Sequence, residues 1–192
     1  VTVAVPQLEH GQGSWTALPQ ILADELGADW RTIAVEPAPL SPLYGNPMGL
    51  RALFEGDLES GLADARPALM ATVGSTSVRQ FAPLLAQAGA AARAVLCMAA
   101  AARWDVDWRQ CQTAAGFVIH GNRKLRFGEL AADASRERVP EAVLPRPEEP
   151  NRLLGQSLPR LDAPAKVDGS ANFAADIRLP GMLHAAAQHA PH

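Results

Sequence analysis

Four things are scarce in this chain, and each scarcity removes a class of function. The first is surplus charge. Seventeen Lys and Arg stand against 20 Asp and Glu in 192 residues, a formal net charge of -3. The basic residues are spread along the chain, so there is no basic stripe of the kind that nucleic acid or an anionic membrane needs. The second is cysteine: Cys97 and Cys111 make neither a disulfide framework nor a metal spacing, and both read as buried thiols. The third is a long apolar run. The longest, Ala88 to Ala102, is alanine-rich and interrupted by Arg93, which predicts no membrane span. The opening "VTVAV" alternates like a strand, and no signal or transit segment is visible in it. The fourth is a catalytic constellation. His10, His120, His184, His189 and His192 are scattered, Ser75 and Ser77 have no identifiable base, and no G-x-S-x-G elbow occurs. Glu25, Glu36 and Glu129 fall where solvated surface charges are expected. No residue is assigned a catalytic or a metal-binding role. What remains, 48% hydrophobic and 19% charged, is an ordinary globular composition.

The pattern along the chain is mixed. "VTVAV" predicts a strand, and Leu18, Ile21, Leu22 and Leu26 share one face of a helix that Gly27 ends. With Thr16 as its N-cap, Pro19 would fall in the first turn. "WRTIAVEPAP" (30–39) reads as a second strand. Prolines and glycines from Pro37 to Ala71 predict a long irregular loop with a short helix near Leu58 to Ala65. The longest helix is predicted from Val78 to Arg103, with Phe81, Leu84, Leu85, Ala88, Ala92, Val95 and Leu96 along one side. Gly89 and the alanines would allow a close neighbour. After it come a strand, a strand pair turning at Gly121 and Asn122, and a small helix near Gly128. Prolines 140, 145, 147 and 150 mark a linker. Beyond it the chain reads as loop, strand, turn, strand. The expected class is α+β, a mixed sheet packed with helices.

Two turns carry chemistry. Gly11, Gln12 and Gly13 stand in front of the first helix, whose N-terminus offers N–H groups and the positive end of the helix dipole to a polar ligand. The alternative is a tight turn with a solvent-facing glutamine. Thr72, Gly74, Ser75, Thr76 and Ser77 stand in front of the long helix, where they form either a second grip on the same ligand or simple N-caps.

These stretches resemble a known family, the molybdopterin-binding large subunits of the molybdenum hydroxylases, in the xanthine dehydrogenase and aldehyde oxidase group. The chain is most similar to the isoquinoline 1-oxidoreductase type. The resemblance rests on "VTVAVPQLEHGQGSWTALPQILADELGADW", "YGNP" (44–47), "GSTSVR" (74–79), "AGAAARAVL" (88–96), "FGELAADA" (127–134) and "RLDAPAKVDGSANFAADIRLPGMLHAA" (160–186), in the family's order. It departs from the family pattern at His10 and Val73. The resemblance implies that Gly11, Gln12, Gly13, Thr72, Gly74, Ser75, Thr76 and Ser77 help bind a molybdopterin, in a dinucleotide form. It implies a partial cofactor-binding domain at 1–138, a Pro-rich linker at 139–159, and the start of an α/β hammerhead domain at 160–192, where Lys166, Asp168 and Gly169 are structural. The expected partners are the remainder of the large subunit, a small [2Fe-2S] subunit, and an N-heterocyclic or aldehyde substrate hydroxylated with water as the oxygen source. No nucleic acid is expected. The family's general-base glutamate falls beyond this stretch, so the segment is expected to be an N-terminal part that does not turn over substrate alone, in the periplasm or the cytoplasm. The other reading is a binding or assembly module with the same fold and no metal cofactor.

Overall fold

A computed structural model describes residues 1–53, 69–143, 145–146 and 152–189. The helix expected near Leu58 to Ala65 lies outside them. Two compact units are present, Val1–Leu161 and Asp162–His192.

The first unit begins as a strand, a helix and a strand. β1 (Thr2–Val5) pairs in parallel with β2 (Ala34–Pro37), Thr2 opposite Ala34 and Val5 opposite Pro37. A parallel pair needs a crossover, and α1 (Ser14–Leu26) supplies it. The second strand is shorter than its sequence suggests, because Trp30–Thr32 wind into a 3-10 turn. Asp29 starts that turn by accepting the Arg31 N–H, and Ile33 is then the buried residue that leads into β2. α1 starts earlier than predicted. Its N-cap is Gly13 in a left-handed conformation, not Thr16, so Pro19 sits in the second turn and forgoes one helical bond. The helix holds because Leu18, Pro19, Ala23 and Leu26 are buried beside Val3 and Val5. At its end Gly27 adopts φ +73, and Thr113 lies so close that a Cβ would stand 2.5 Å from its Oγ1. Only glycine suits both demands.

α2 (Pro47–Leu53) is a short helix inside the segment that its prolines and glycines predict to be irregular. α3 (Ser77–Trp104) is the long helix, and it packs against α1 and α4 (Phe127–Ala134). By length and composition it is apolar enough to cross a membrane, yet half of that stretch is buried within the unit. The seam with α1 is built on small residues. At Gly89 a Cβ would stand 2.5 Å from the Leu22 carbonyl oxygen. Centring the seam there turns Phe81, Leu85, Gly89, Ala90 and Cys97 inward, whereas Leu84 and Ala88, expected on the inner face, are exposed.

A second sheet is antiparallel and runs in chain order: β3 (Gln112–Ala114), β4 (Phe117–His120) and β5 (Arg123–Arg126), with His120 opposite Arg123 across the Gly121–Asn122 turn. β5 runs directly into α4. The fold is α+β, with its parallel and antiparallel strands in separate sheets among the described residues.

Described residues of the expected linker are held on α1. Asp24 and Glu25 are buried, and both meet the Arg152 guanidinium. Asp24 Oδ1 also accepts the Leu153 N–H at 2.6 Å, and Glu25 Oε2 the Arg146 N–H at 2.7 Å. Glu25 is therefore not the solvated surface charge its sequence position suggests: its carboxylate pins a strap across the helix. In the second unit, α5 (Ala163–Asp168) and a 3-10 turn at Ala174–Asp176 stand where two strands were expected. Lys166 reaches back one turn to Asp162 at 2.5 Å, and Gly169 closes α5 at φ +81, so the residues satisfy one another locally without a sheet.

Candidate cofactor-binding site

The N-terminal ends of α1 and α3 lie side by side, because the segment after β1 and the loop before α3 are bonded to each other. The Leu8 N–H donates to Thr72 Oγ1 at 2.9 Å, and Ser77 Oγ donates to Gln7 Oε1 at 2.9 Å. Asn46 locks the second loop from the far side. It is fully buried, its Nδ2 donates to the Ala71 carbonyl at 2.7 Å and to Thr76 Oγ1 at 2.9 Å, and its Oδ1 accepts the Gly49 N–H at 2.8 Å. That last bond makes Asn46 the N-cap of α2, with Pro47 at the first helical position. "YGNP" and "GSTSVR" thus meet through one side chain.

All eight residues expected to bind cofactor sit in this corner, in two different states. At the first turn, Gly11 and Gly13 have φ +102 and +85, and a Cβ on either would meet nothing within 4 Å. The backbone is open to close approach there. The Gln12 side chain is engaged inside the turn: Nε2 donates to Leu8 O at 2.7 Å and Ser14 Oγ at 3.1 Å, and Oε1 accepts the His10 N–H at 2.5 Å. The donors of the helix start are also engaged. Glu9 Oε1 accepts the Gly11 N–H at 2.7 Å and the Gly13 N–H at 2.9 Å, and Oε2 accepts the Trp15 N–H at 3.0 Å. The Glu9 side chain is only 5% exposed, and Arg160 of the strap faces it at 3.2 Å while also donating to Gly11 O at 2.9 Å.

The second turn is different. Gly74 and Ser75 are exposed and left-handed, with φ +61 and +52. Thr76 precedes α3 but caps nothing, since its hydroxyl donates to Val73 O at 2.6 Å and accepts from Asn46. The first turn of α3 therefore has no side-chain cap, carries no acidic residue, and has Arg79 exposed on it. It is the more anion-ready of the two starts.

Gln7, Glu9 and Asn46 were missed by sequence reasoning. Asn46 had a signal, since Asn-Pro is a helix-start pair. Glu9 had a weaker one, an acid just before a glycine-flanked turn. Gln7 had none. Among the described residues no group of three or more His, Cys, Asp or Glu is placed to hold a metal ion. Both thiols are buried, and burial pushes Cys97 up to about 12.

No family model matches the chain. Among curated proteins it is 32% identical to the β chain of the isoquinoline 1-oxidoreductase of Brevundimonas diminuta, over all of this chain and 27% of that protein. It is 32% identical, over 96% of this chain and 22% of the relative, to a membrane-bound aldehyde dehydrogenase of Gluconacetobacter polyoxogenes whose name specifies pyrroloquinoline quinone. It is 31% identical, over 92% of this chain and 13% of the relative, to a nicotinate dehydrogenase subunit of Pseudomonas putida. The chain thus spans about a quarter or less of the length of the curated relatives it matches. Its motifs and these alignments agree along nearly all of it: in sequence, the chain resembles part of these oxidoreductases.

Proposed function

We propose that this chain is part of the large subunit of a molybdenum hydroxylase, and that its turn at 9–13 and loop at 72–77 form one wall of the cofactor site. The observation that carries the reading is convergence. Three stretches far apart in sequence, at 7–13, 44–47 and 72–77, are joined by direct hydrogen bonds into one corner at two helix starts.

The donor sets fit a molybdopterin in a divided way. Gly74, Ser75 and Ser77, at an uncapped helix start with Arg79 beside it, would take the anionic end, the phosphate or the dinucleotide tail, and the buried Thr76 would hold their loop on Asn46. Gly11 and Gly13 would let an uncharged edge approach the backbone, Gln12 would keep the turn in shape, and Thr72 would tie the loop to Leu8. The bound cofactor supplies two-electron redox chemistry. This chain holds and orients; the general base, by the same reading, belongs to the remainder of the large subunit. The substrate is an N-heteroaromatic compound or an aldehyde, the classes named for the relatives, and electrons leave through a [2Fe-2S] subunit. The unit at 162–192 opens the hammerhead domain.

The test is cofactor occupancy in the longest natural form of the protein, with molybdenum measured by elemental analysis and pterin by fluorescence after oxidation. Gln12→Ala and Ser75→Ala are expected to lower both, and Arg138→Ala to leave them unchanged. Equal occupancy in the three variants refutes the wall. Pyrroloquinoline quinone without molybdenum refutes the cofactor, and a folded protein with neither points to the binding or assembly module.

A further inference from the structure

The two helix starts of this corner look alike in sequence and differ in one respect: one of them already holds an anion. Glu9 accepts the Gly11, Gly13 and Trp15 N–H groups at 2.7 to 3.0 Å, which are the donors that a ligand oxygen would take at the start of α1. The carboxylate is 5% exposed, and the Arg160 guanidinium facing it at 3.2 Å offsets its charge. Arg160 binds the turn a second time, through Gly11 O at 2.9 Å. A negative charge at this position takes up the favourable potential of the helix end and repels a second anion.

We infer that Glu9 is a positioning and specificity-determining residue: a built-in anion that closes the α1 start to phosphate and so directs the charged end of a ligand to the α3 start at 74–77, with Arg160 as the cation that lets it stay there. The second half rests on the cofactor reading above; the first half does not. Replacing Glu9 by glutamine removes the negative charge and keeps a carbonyl oxygen for the amides. It also puts an Nε2 donor where Oε2 accepted the Trp15 N–H, so that this amide, the new Nε2 group and the Arg160 guanidinium together make an anion seat beside Gly11 and Gly13.

The experiment is titration of the purified chain with inorganic pyrophosphate, followed by amide 1H–15N shifts. In the natural chain, Gly74 to Val78 are expected to shift, and Gly11, Gly13 and Trp15 to stay. In Glu9→Gln, the amides of Gly11, Gly13 and Trp15 are expected to shift as well, with pyrophosphate bound at that turn at least about tenfold tighter than in the natural chain. Shifts at Gly11, Gly13 and Trp15 in the natural chain, or none there in a folded Glu9→Gln, overturn the inference about Glu9. Silence at 74–78 overturns the phosphate placement in the proposed function and leaves Glu9 standing. If Glu9→Gln does not fold, hydrogen exchange in the natural chain decides. The Gly11 and Gly13 amides should exchange at least about tenfold more slowly than an open turn allows, and exchange at the open rate overturns the inference.

Discussion

The same substitution, Gly to Ala, should have opposite effects at two helical positions. At Gly89 in α3 an added Cβ would stand 2.5 Å from the Leu22 carbonyl oxygen and 2.9 Å from Glu25 Cβ. The nearer atom is backbone of α1, so it cannot rotate away, and the two helices must separate along their seam. Overpacking of this sort costs about 1–3 kcal/mol. Alanine's better helix propensity returns about 0.5–1 kcal/mol, leaving a net loss of about 1 kcal/mol at the centre of those two ranges. At Gly128 in α4 a Cβ meets nothing within 4 Å and φ is not left-handed, so alanine should gain about 0.4–1 kcal/mol by restricting the unfolded chain. Urea unfolding of the two variants reads the difference, as midpoints that move in opposite directions at an unchanged slope. In a unit of this size each kcal/mol moves the melting temperature by about 2–4 °C. Midpoints that move together, or a Gly89→Ala variant as stable as the natural chain, would show that the α1–α3 seam has room for a methyl group.

Two further perturbations probe the burial of charge and of thiol. Asp24→Ala removes one of the two carboxylates that Arg152 meets and the acceptor of the Leu153 and Leu154 N–H groups. The expected loss is about 3–5 kcal/mol, with faster tryptic cleavage after Arg152 and Arg160; cleavage at the natural rate refutes the strap. Burial raises the Cys97 pKa to about 12 from an ordinary value of 9.0. A group raised in the folded state favours folding below its unfolded pKa, and that contribution fades as pH climbs toward the folded value. Stability should therefore fall between about pH 9 and 12, and less steeply in Cys97→Ala. Iodoacetamide at about pH 8, below the thiol's ordinary range, should leave Cys97 unmodified in the folded chain, and rapid alkylation there contradicts the burial.

Much of the fold was legible because its signals are local. The helical spacing of Leu18, Leu22 and Leu26, the Gly27 stop, and the Gly121–Asn122 turn all act within a few residues, and the structure carries each of them. The inner face of α3 was less legible, because in an alanine-rich helix side-chain size rather than hydrophobicity chooses the seam. Leu84 is larger and more apolar than Gly89, yet Gly89 is the residue that α1 approaches. The strap was not legible at all. Prolines at 140, 145, 147 and 150 predict an extended segment equally well whether or not it is held. What holds it is an Arg152 to Asp24 and Glu25 cluster spanning more than a hundred residues of sequence.

The same long-range term shapes the candidate site. Seen as sequence, the two glycine-containing turns are equivalent: each is small, polar and in front of a helix. They become inequivalent when a carboxylate is buried at one of them, because a Glu9 side chain at 5% exposure requires a cation, and the cation comes from residue 160. Arg160 is in turn brought to the turn by the strap that Arg152 fastens to the C-terminal half of α1. One helix is thereby gripped near both ends by the same segment. The geometry of Gly11 to Gly13 thus depends on a charge about 150 residues away, whereas the Gly74 to Ser77 loop is set by uncharged bonds to Asn46, Gln7 and Leu8. Loss of the strap should disturb the first turn and spare the second. That asymmetry follows from which of the two helix starts carries a buried charge.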